Sequence, residues 1–188
     1  MSSQTVPYIS VQQYLEQEER AERPSEYFRG EVFPMEEVSL RHAGILISFA
    51  RALPDPTSRN CQIFGGGRLY IAAIGFFTYP DLLVVCGALE YSDSRKTTLT
   101  NPKLIIEILS PSRRDYDRGE KFLQYRTIPS LLEYIAVAQD SAHIEHSVRQ
   151  PGDHWLLTDI KGLDKTLRID SLDCGISTSD VYRNIEFD

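Results

Sequence analysis

Two helices are predicted from the pattern of hydrophobic and polar positions in the first 53 residues. Residues 10–22 are rich in helix formers and begin at Ser10, a good capping residue, so they predict a short and mostly solvated helix. Residues 39–53 predict a second helix, which Ser39 caps and Pro54 terminates. The apolar positions of this second helix recur at helical spacing and are predicted to face the core: Leu40, Ala43, Ile47 and Ala50.

Strands are predicted wherever apolar and polar residues alternate. Residues 26–35 (EYFRGEVFPM) predict one or two short strands between the helices. A third helix is predicted over residues 113–127, with Tyr116, Phe122 and Leu123 facing inward. The remaining predicted strands are CQIF (61–64), RLYIAAI (68–74), DLLVVCG (81–87), KLIIEIL (103–109), LEYIAVA (132–138), HIEHSV (143–148) and HWLLTDI (154–160). This order predicts an α+β or mixed α/β domain around one central sheet.

The composition is typical of a soluble globular protein, with 41% hydrophobic and 25% charged residues and a length that suits one domain. A net charge of −7 argues against binding nucleic acid over the whole surface, because phosphates require a positive footprint. This negative charge does not argue against a nuclease in which metal ions supply the positive charge at the phosphate. The chain has no apolar run of about 18 residues and no signal-peptide pattern at its start, so we expect no membrane contact and a cytoplasmic location.

The three cysteines give no sign of a metal site or a disulfide framework. Cys61, Cys86 and Cys174 are widely spaced, odd in number and without a CxxC pair. We therefore expect reduced, partly buried thiols.

The most informative residue is Glu107, which interrupts the aliphatic run LIIEIL. A buried carboxylate is costly unless it is protonated, paired or bound to a metal. Asp81 directly precedes another apolar strand, and the 25 residues between the two acids leave room for neighbouring strands that bring both carboxylates together. A divalent cation such as Mg²⁺ relieves the repulsion of such a pair. Two structural explanations remain open: Asp81 is a turn residue, and Glu107 forms a structural ion pair with Lys121 or an arginine.

Lys121 lies on the helix predicted after the Glu107 strand, from where it can fold back over the strand end. A lysine in that place can orient a water molecule or counter charge on a phosphate. Four arginines make the same segment locally basic, which suits an anionic substrate: Arg113, Arg114, Arg118 and Arg126. Taken one at a time, these arginines are more simply read as surface residues.

Several stretches resemble the Uma2 family (DUF820), whose members are assigned to the restriction endonucleases of the PD-(D/E)xK superfamily and are common in cyanobacteria. The resemblance rests on YFRGEVFPM, RHAGI and FTYPDLLVVCG, and above all on residues 100–139. It implies a restriction-endonuclease-like mixed central sheet flanked by helices, in one domain over residues 27–188. Residues 1–26 would then form a helical segment that packs on this domain.

The resemblance also implies an active site. Pro80–Asp81 and Glu107 match the superfamily's PD and (D/E), and Asp81, Glu107 and the backbone carbonyl of Leu109 would bind Mg²⁺ or Mn²⁺. Leu109 occupies the usual lysine position, and Lys121 takes the lysine's place by positioning the attacking water. Glu31 resembles the superfamily's additional acid.

The implied substrate is DNA, hydrolysed at its phosphodiester bonds by a homodimer. His42 is expected to contact the substrate together with the arginines, and Tyr125 to pack beside the site without a catalytic role. Gly65–Gly67 replaces a Ser-Asp type sequence of many relatives and puts substrate preference in doubt. The alternative functions are a non-catalytic binding or assembly protein that retains the nuclease fold, and hydrolysis of RNA or of a small phosphate compound.

Overall fold

A computed structural model describes residues 8–110 and 117–187. The helices are α1 (Val11–Glu18), α2 (Leu40–Ala52), α3 (Phe122–Tyr125) and α4 (Thr178–Val181), with a π-helical turn at Asp117–Lys121 directly before α3. The strands are β1 (Ser25–Phe28), β2 (Glu31–Pro34), β3 (Cys61–Gly65), β4 (Leu69–Ile71), β5 (Phe76–Thr78), β6 (Leu82–Cys86), β7 (Leu104–Leu109), β8 (Glu133–Ala138), β9 (His143–Arg149), β10 (Trp155–Lys161), β11 (Thr166–Ile169) and β12 (Cys174–Ser177).

The predicted central sheet is confirmed as a mixed six-stranded sheet in the order β10-β9-β8-β7-β6-β3. All neighbouring strands in it are antiparallel except β7 and β8, which run parallel with Leu109 opposite Ala138. β6 runs antiparallel beside β7 with Leu82 opposite Ile106. The C-terminal ends of β7 and β8 and the N-terminal end of β6 therefore lie at one edge of the sheet.

Both faces of the central sheet are covered, which explains why its middle strands are almost entirely apolar. One face packs against α2 through Ile45 and Phe49, and against the β11–β12 hairpin. The other face packs against α3 through Tyr125 and against the strands β4 and β5. β4 and β5 belong to a second sheet, ordered β2-β1-β5-β4.

The two serine caps are confirmed. Ser10 accepts a hydrogen bond from the N–H of Gln13, whose side chain returns to Ser10 in a capping box. Ser39 accepts from the N–H of His42 and begins α2. The α1 segment packs through Tyr14, which stacks on Tyr27 of β1 with 4.9 Å between ring centroids.

The predicted inward face of α2 was wrong at Leu40 and Ile47 but right at Ala50, which packs against the core. Leu40 and Ile47 are 93% and 56% exposed, whereas Ile45 and Phe49 are fully buried. The helix carries apolar residues on more than one side, and the sheet covers the side that also holds His42. The predicted inward face of the third helix also differs from the observed one. Leu123, which was predicted to face inward, is 54% exposed, whereas Lys121 and Tyr125 are buried.

The expectation of three reduced thiols was also wrong. Cys61 and Cys86 form a disulfide, and Cys174 is a free, buried thiol. The two bonded residues lie directly opposite each other on β3 and β6. Cross-strand register brings them together, and their spacing in the sequence does not reveal it.

Among the helices of the described residues, none has the length and apolar character needed to cross a membrane.

Candidate active site

A pocket of about 250 Å³ opens at the edge where β7 and β8 end and β6 begins. Asp81, Glu107 and Lys121 all line it, although they are widely separated in the sequence. The other lining residues are Met35, Glu36, Glu37, Val38, Ser39, His42, Tyr79, Ile108, Ser110 and Gln139. The structure thus brings the three principal predicted residues to one place.

Asp81 is held by hydrogen bonds to both of its carboxylate oxygens. Its Oδ2 accepts from the backbone N–H of Ile108 at 2.7 Å, a contact that the antiparallel pairing of β6 with β7 makes possible. Its Oδ1 lies 3.0 Å from Nε2 of His42, which donates to the carboxylate from the buried side of α2. His42 was predicted to contact substrate; in the structure it contacts and orients Asp81.

Glu107 lies in the middle of β7 with its side chain on the face that carries Ile105 and Leu109. It is 4% exposed, and two donors reach its Oε1: the hydroxyl of Tyr125 at 2.6 Å and the ammonium of Lys121 at 2.8 Å. The backbone N–H of Asp81 lies 3.4 Å from its Oε2. These contacts offset much of the cost of burying the carboxylate, and they join it directly to the Asp81 segment.

Lys121 is the last residue of the π-helical turn and is 3% exposed. Its Nζ lies 2.8 Å from Glu107 and 3.4 Å from Oε1 of Glu26. The ammonium is therefore shared between two buried carboxylates. π-Helical turns are rare and often occur at functional sites, because the wider turn re-aims side chains.

Glu26, on β1, is the acid that the sequence interpretation missed. It is 2% exposed, and the hydroxyl of Thr78 donates to its Oε1 at 2.6 Å. Glu31, which was predicted for this role, is exposed and pairs with Phe28 beside the β1–β2 turn, outside the pocket lining. The prediction of Glu31 is corrected accordingly. No sequence signal separates the two acids, since both lie in one short alternating segment.

Tyr125 packs beside the site as predicted. It is completely buried, and burial raises the pKa of its hydroxyl well above the usual range, as do the nearby charges of Glu107 and Glu26. The hydroxyl therefore stays protonated across the physiological pH range and remains a donor to Glu107.

The other residues that the sequence predicted for the site are Leu109, the triple-glycine segment and the arginines, and each has a different relation to the pocket. Leu109 is buried and lies between Ile108 and Ser110, both of which line the pocket. The N–H of Gly66 donates to the backbone oxygen of Asp81 at 3.1 Å, so the triple-glycine segment adjoins the site. The predicted substrate-binding arginines Arg113 and Arg114 lie outside the described residues, as does the side chain of Arg118.

The charges in the pocket fit a divalent cation. Asp81 and Glu107 line the pocket, and Glu26 shares the Lys121 ammonium with Glu107. These three carboxylates outnumber the described cations that contact them, even if His42 is counted with Lys121. Carboxylate and backbone carbonyl oxygens are the ligands that Mg²⁺ and Mn²⁺ prefer. Asp81, Glu107 and the carbonyl of Leu109 are suitable donors on chemical grounds.

Comparisons with known proteins identify a matching family model and two similar sequences. A sequence model of the Uma2 family, described as "Putative restriction endonuclease", matches residues 11–181. The chain is 35% identical to the uncharacterized protein sll1609 of Synechocystis sp. over 160 residues, which cover 84% of this chain and 90% of that protein. It is 31% identical to slr1290 of the same organism over 186 residues, covering 96% and 95% of the two chains.

A solved structure shares the fold. It is the crystal structure of "a putative nuclease belonging to DUF820" from Anabaena variabilis, with a TM-score of 0.71 at 17% sequence identity. The similarity covers 86% of this chain and 91% of that chain. At this identity the likeness concerns the arrangement of helices and strands.

Proposed function

The chain belongs to the Uma2 family, whose description is "Putative restriction endonuclease", and we propose that it hydrolyses phosphodiester bonds of DNA in a Mg²⁺- or Mn²⁺-dependent reaction. The observation that carries this proposal is the return of Lys121 to the acid pair. Its ammonium lies 2.8 Å from Glu107, while the backbone N–H of Asp81 lies 3.4 Å from the same carboxylate. This proximity supports the role that the family resemblance implies for the displaced lysine.

Asp81, Glu107 and the carbonyl of Leu109 would hold the divalent ion, which would supply Lewis-acid activation of the water and the phosphate when bound. The side chains around these ligands fix their orientation. His42 donates to Asp81, and Tyr125 donates to Glu107. Ligands held in this way need little rearrangement before reaction, which is the usual contribution of surrounding hydrogen bonds.

Lys121 would position the attacking water and counter the negative charge that develops on the phosphate. Glu26 is assigned a supporting role, since its carboxylate also contacts the ammonium, at 3.4 Å, and is itself fixed by Thr78. A bound DNA strand is the source of the phosphate, and a homodimer and a cytoplasmic location remain predictions from the sequence.

The test is cleavage of supercoiled plasmid and of single-stranded DNA by the purified chain with Mg²⁺, Mn²⁺ or EDTA. We expect nicking with either metal ion and none with EDTA. Asp81→Asn and Lys121→Ala should lower the rate by at least about 100-fold, as expected for loss of a group that stabilises the transition state.

Glu26→Gln and Glu31→Gln form a matched pair, because they remove one charge each from the same hairpin. The structure predicts a marked loss of rate for Glu26→Gln and wild-type rate for Glu31→Gln. If folded wild-type protein and Asp81→Asn are equally inactive with every metal ion, the nuclease proposal fails. Calorimetric titration with Mn²⁺ would then measure whether the carboxylates bind a metal ion in a non-catalytic protein.

A further inference from the structure

Gln139 is a buried polar residue at the candidate site to which no role has been given. It directly follows β8, and the parallel pairing of Leu109 with Ala138 places it at the same sheet edge as Ser110. It is 6% exposed, yet it lines the pocket together with Asp81, Glu107 and Lys121. A buried amide in such a position requires partners for its donors as well as for its acceptor.

Ser39 determines which way the amide points. The Ser39 hydroxyl oxygen accepts from the N–H of His42 at 3.0 Å as the cap of α2, so its own proton is available to donate. That proton goes to Oε1 of Gln139 at 2.8 Å. In the reverse orientation the Ser39 oxygen would receive a second donor and its proton would no longer be directed at Gln139. The carbonyl oxygen of the amide is therefore placed at Ser39, which leaves the NH₂ group for the pocket that Gln139 lines.

Two other donors that line the pocket also contact protein acceptors. The Lys121 ammonium contacts Glu107 and Glu26, and the hydroxyl of Tyr79 donates to Glu18 at 2.8 Å. The Gln139 amide offers two N–H donors without adding charge beside the carboxylates. A phosphate oxygen is an acceptor only, and more than half of protein contacts to DNA are made to its backbone.

We propose that the amide nitrogen of Gln139 donates a hydrogen bond to a non-bridging phosphate oxygen of the bound DNA strand. This inference rests on the proposed nuclease function and adds a substrate contact to it. Hydrogen bonds to charged groups are stronger than neutral ones, so loss of this contact should weaken DNA binding by about tenfold or more.

The experiment measures binding of a short fluorescein-labelled DNA duplex by fluorescence anisotropy, with Ca²⁺ in place of Mg²⁺, over a series of salt concentrations. The variants are Gln139→Leu and Gln139→Glu, and Gln62→Leu on the exposed side of β3 is the matched control. Gln139→Glu keeps an acceptor for Ser39 and loses the donors, so it retains the structural hydrogen bond. Circular dichroism verifies that each variant is folded.

We expect both Gln139 variants to bind DNA about tenfold or more weakly and Gln62→Leu to bind normally. For Gln139→Leu the slope of log Kd against log salt should match the wild type, because an uncharged donor releases no counterion. In ¹H–¹⁵N spectra of the wild type, the side-chain amide resonances that vanish in Gln139→Leu should shift when DNA is added.

Wild-type affinity in Gln139→Glu, or unmoved Gln139 amide resonances at DNA saturation, would overturn the phosphate contact. Plasmid cleavage by the same wild-type preparation separates this failure from a wider one. If the wild type nicks DNA but Gln139→Glu binds DNA normally or the Gln139 amide resonances do not move, the inference alone is wrong. If the wild type neither binds nor cleaves DNA, the proposed function is wrong and the inference falls with it.

Discussion

Replacing Lys121 by methionine removes the ammonium that Glu107 and Glu26 share. Both carboxylates are at least 96% buried, so they would lose a cation at 2.8 and 3.4 Å in a region that water hardly reaches. Methionine fills much of the volume of the lysine stem, which keeps the packing change small. The predicted loss of stability is therefore mainly electrostatic.

The size of this loss follows from the burial of the pair. Removing one partner of a buried ion pair costs about 3–5 kcal/mol, because the remaining charge is left uncompensated. For a domain of this size each kcal/mol corresponds to roughly 2–4 °C in Tm, so a fall of roughly 6–20 °C is expected in EDTA.

Urea unfolding followed by circular dichroism and by the fluorescence of Trp155 measures the change in free energy. Lys165→Met is the matched control, because Lys165 pairs with Asp164 on the surface and such pairs contribute at most about 1 kcal/mol. Added Mg²⁺ should restore part of the stability of Lys121→Met if Asp81 and Glu107 hold the ion. A loss below about 1 kcal/mol would refute the reasoning.

Two further predictions concern stability away from the pocket. Burial raises the pKa of Glu133, but hydrogen bonds from His146 and from the N–H of Ser171 outweigh burial and lower the pKa below the usual value of 4.5. The stability this carboxylate contributes is present above that pH and is lost as the pH falls through the lowered pKa. In a plot of the urea midpoint against pH, Glu133→Gln should therefore reduce the fall at acidic pH. An unchanged fall would contradict this prediction. Reduction of the Cys61–Cys86 disulfide, which spans 25 residues, should lower the free energy of unfolding by about 3.5 kcal/mol. Dithiothreitol should lower the midpoint of the wild type and leave a double serine variant unaffected, and an unmoved wild-type midpoint would count against the bond.

The sequence by itself determined most of the local structure. The alternating segments became the strands of the central sheet, and Ser10 and Ser39 cap the first two helices. These features depend on residues close together in the chain, such as a hydroxyl three residues before the N–H it accepts from. Three short strands were not predicted: β5, β11 and β12. They have only three or four residues each, too few for a clear period.

The sequence also indicated the centre of the site, because a carboxylate within LIIEIL demands compensation wherever the chain folds. What compensates it was decided by tertiary structure. Lys121 approaches Glu107 from a π-helical turn, and Glu26 approaches from a strand of another sheet. The sequence interpretation chose Glu31 because position along one alternating segment does not show which acid the fold will bury.

The same physical reason explains the other errors. α2 has two apolar sides, and only the packed sheet selects the one with Ile45 and Phe49. Cys61 and Cys86 become partners only when β3 pairs with β6 in a particular register. Periodicity and capping act within a few residues and can be read directly, whereas burial, register and ion pairing depend on segments that meet only in the folded chain.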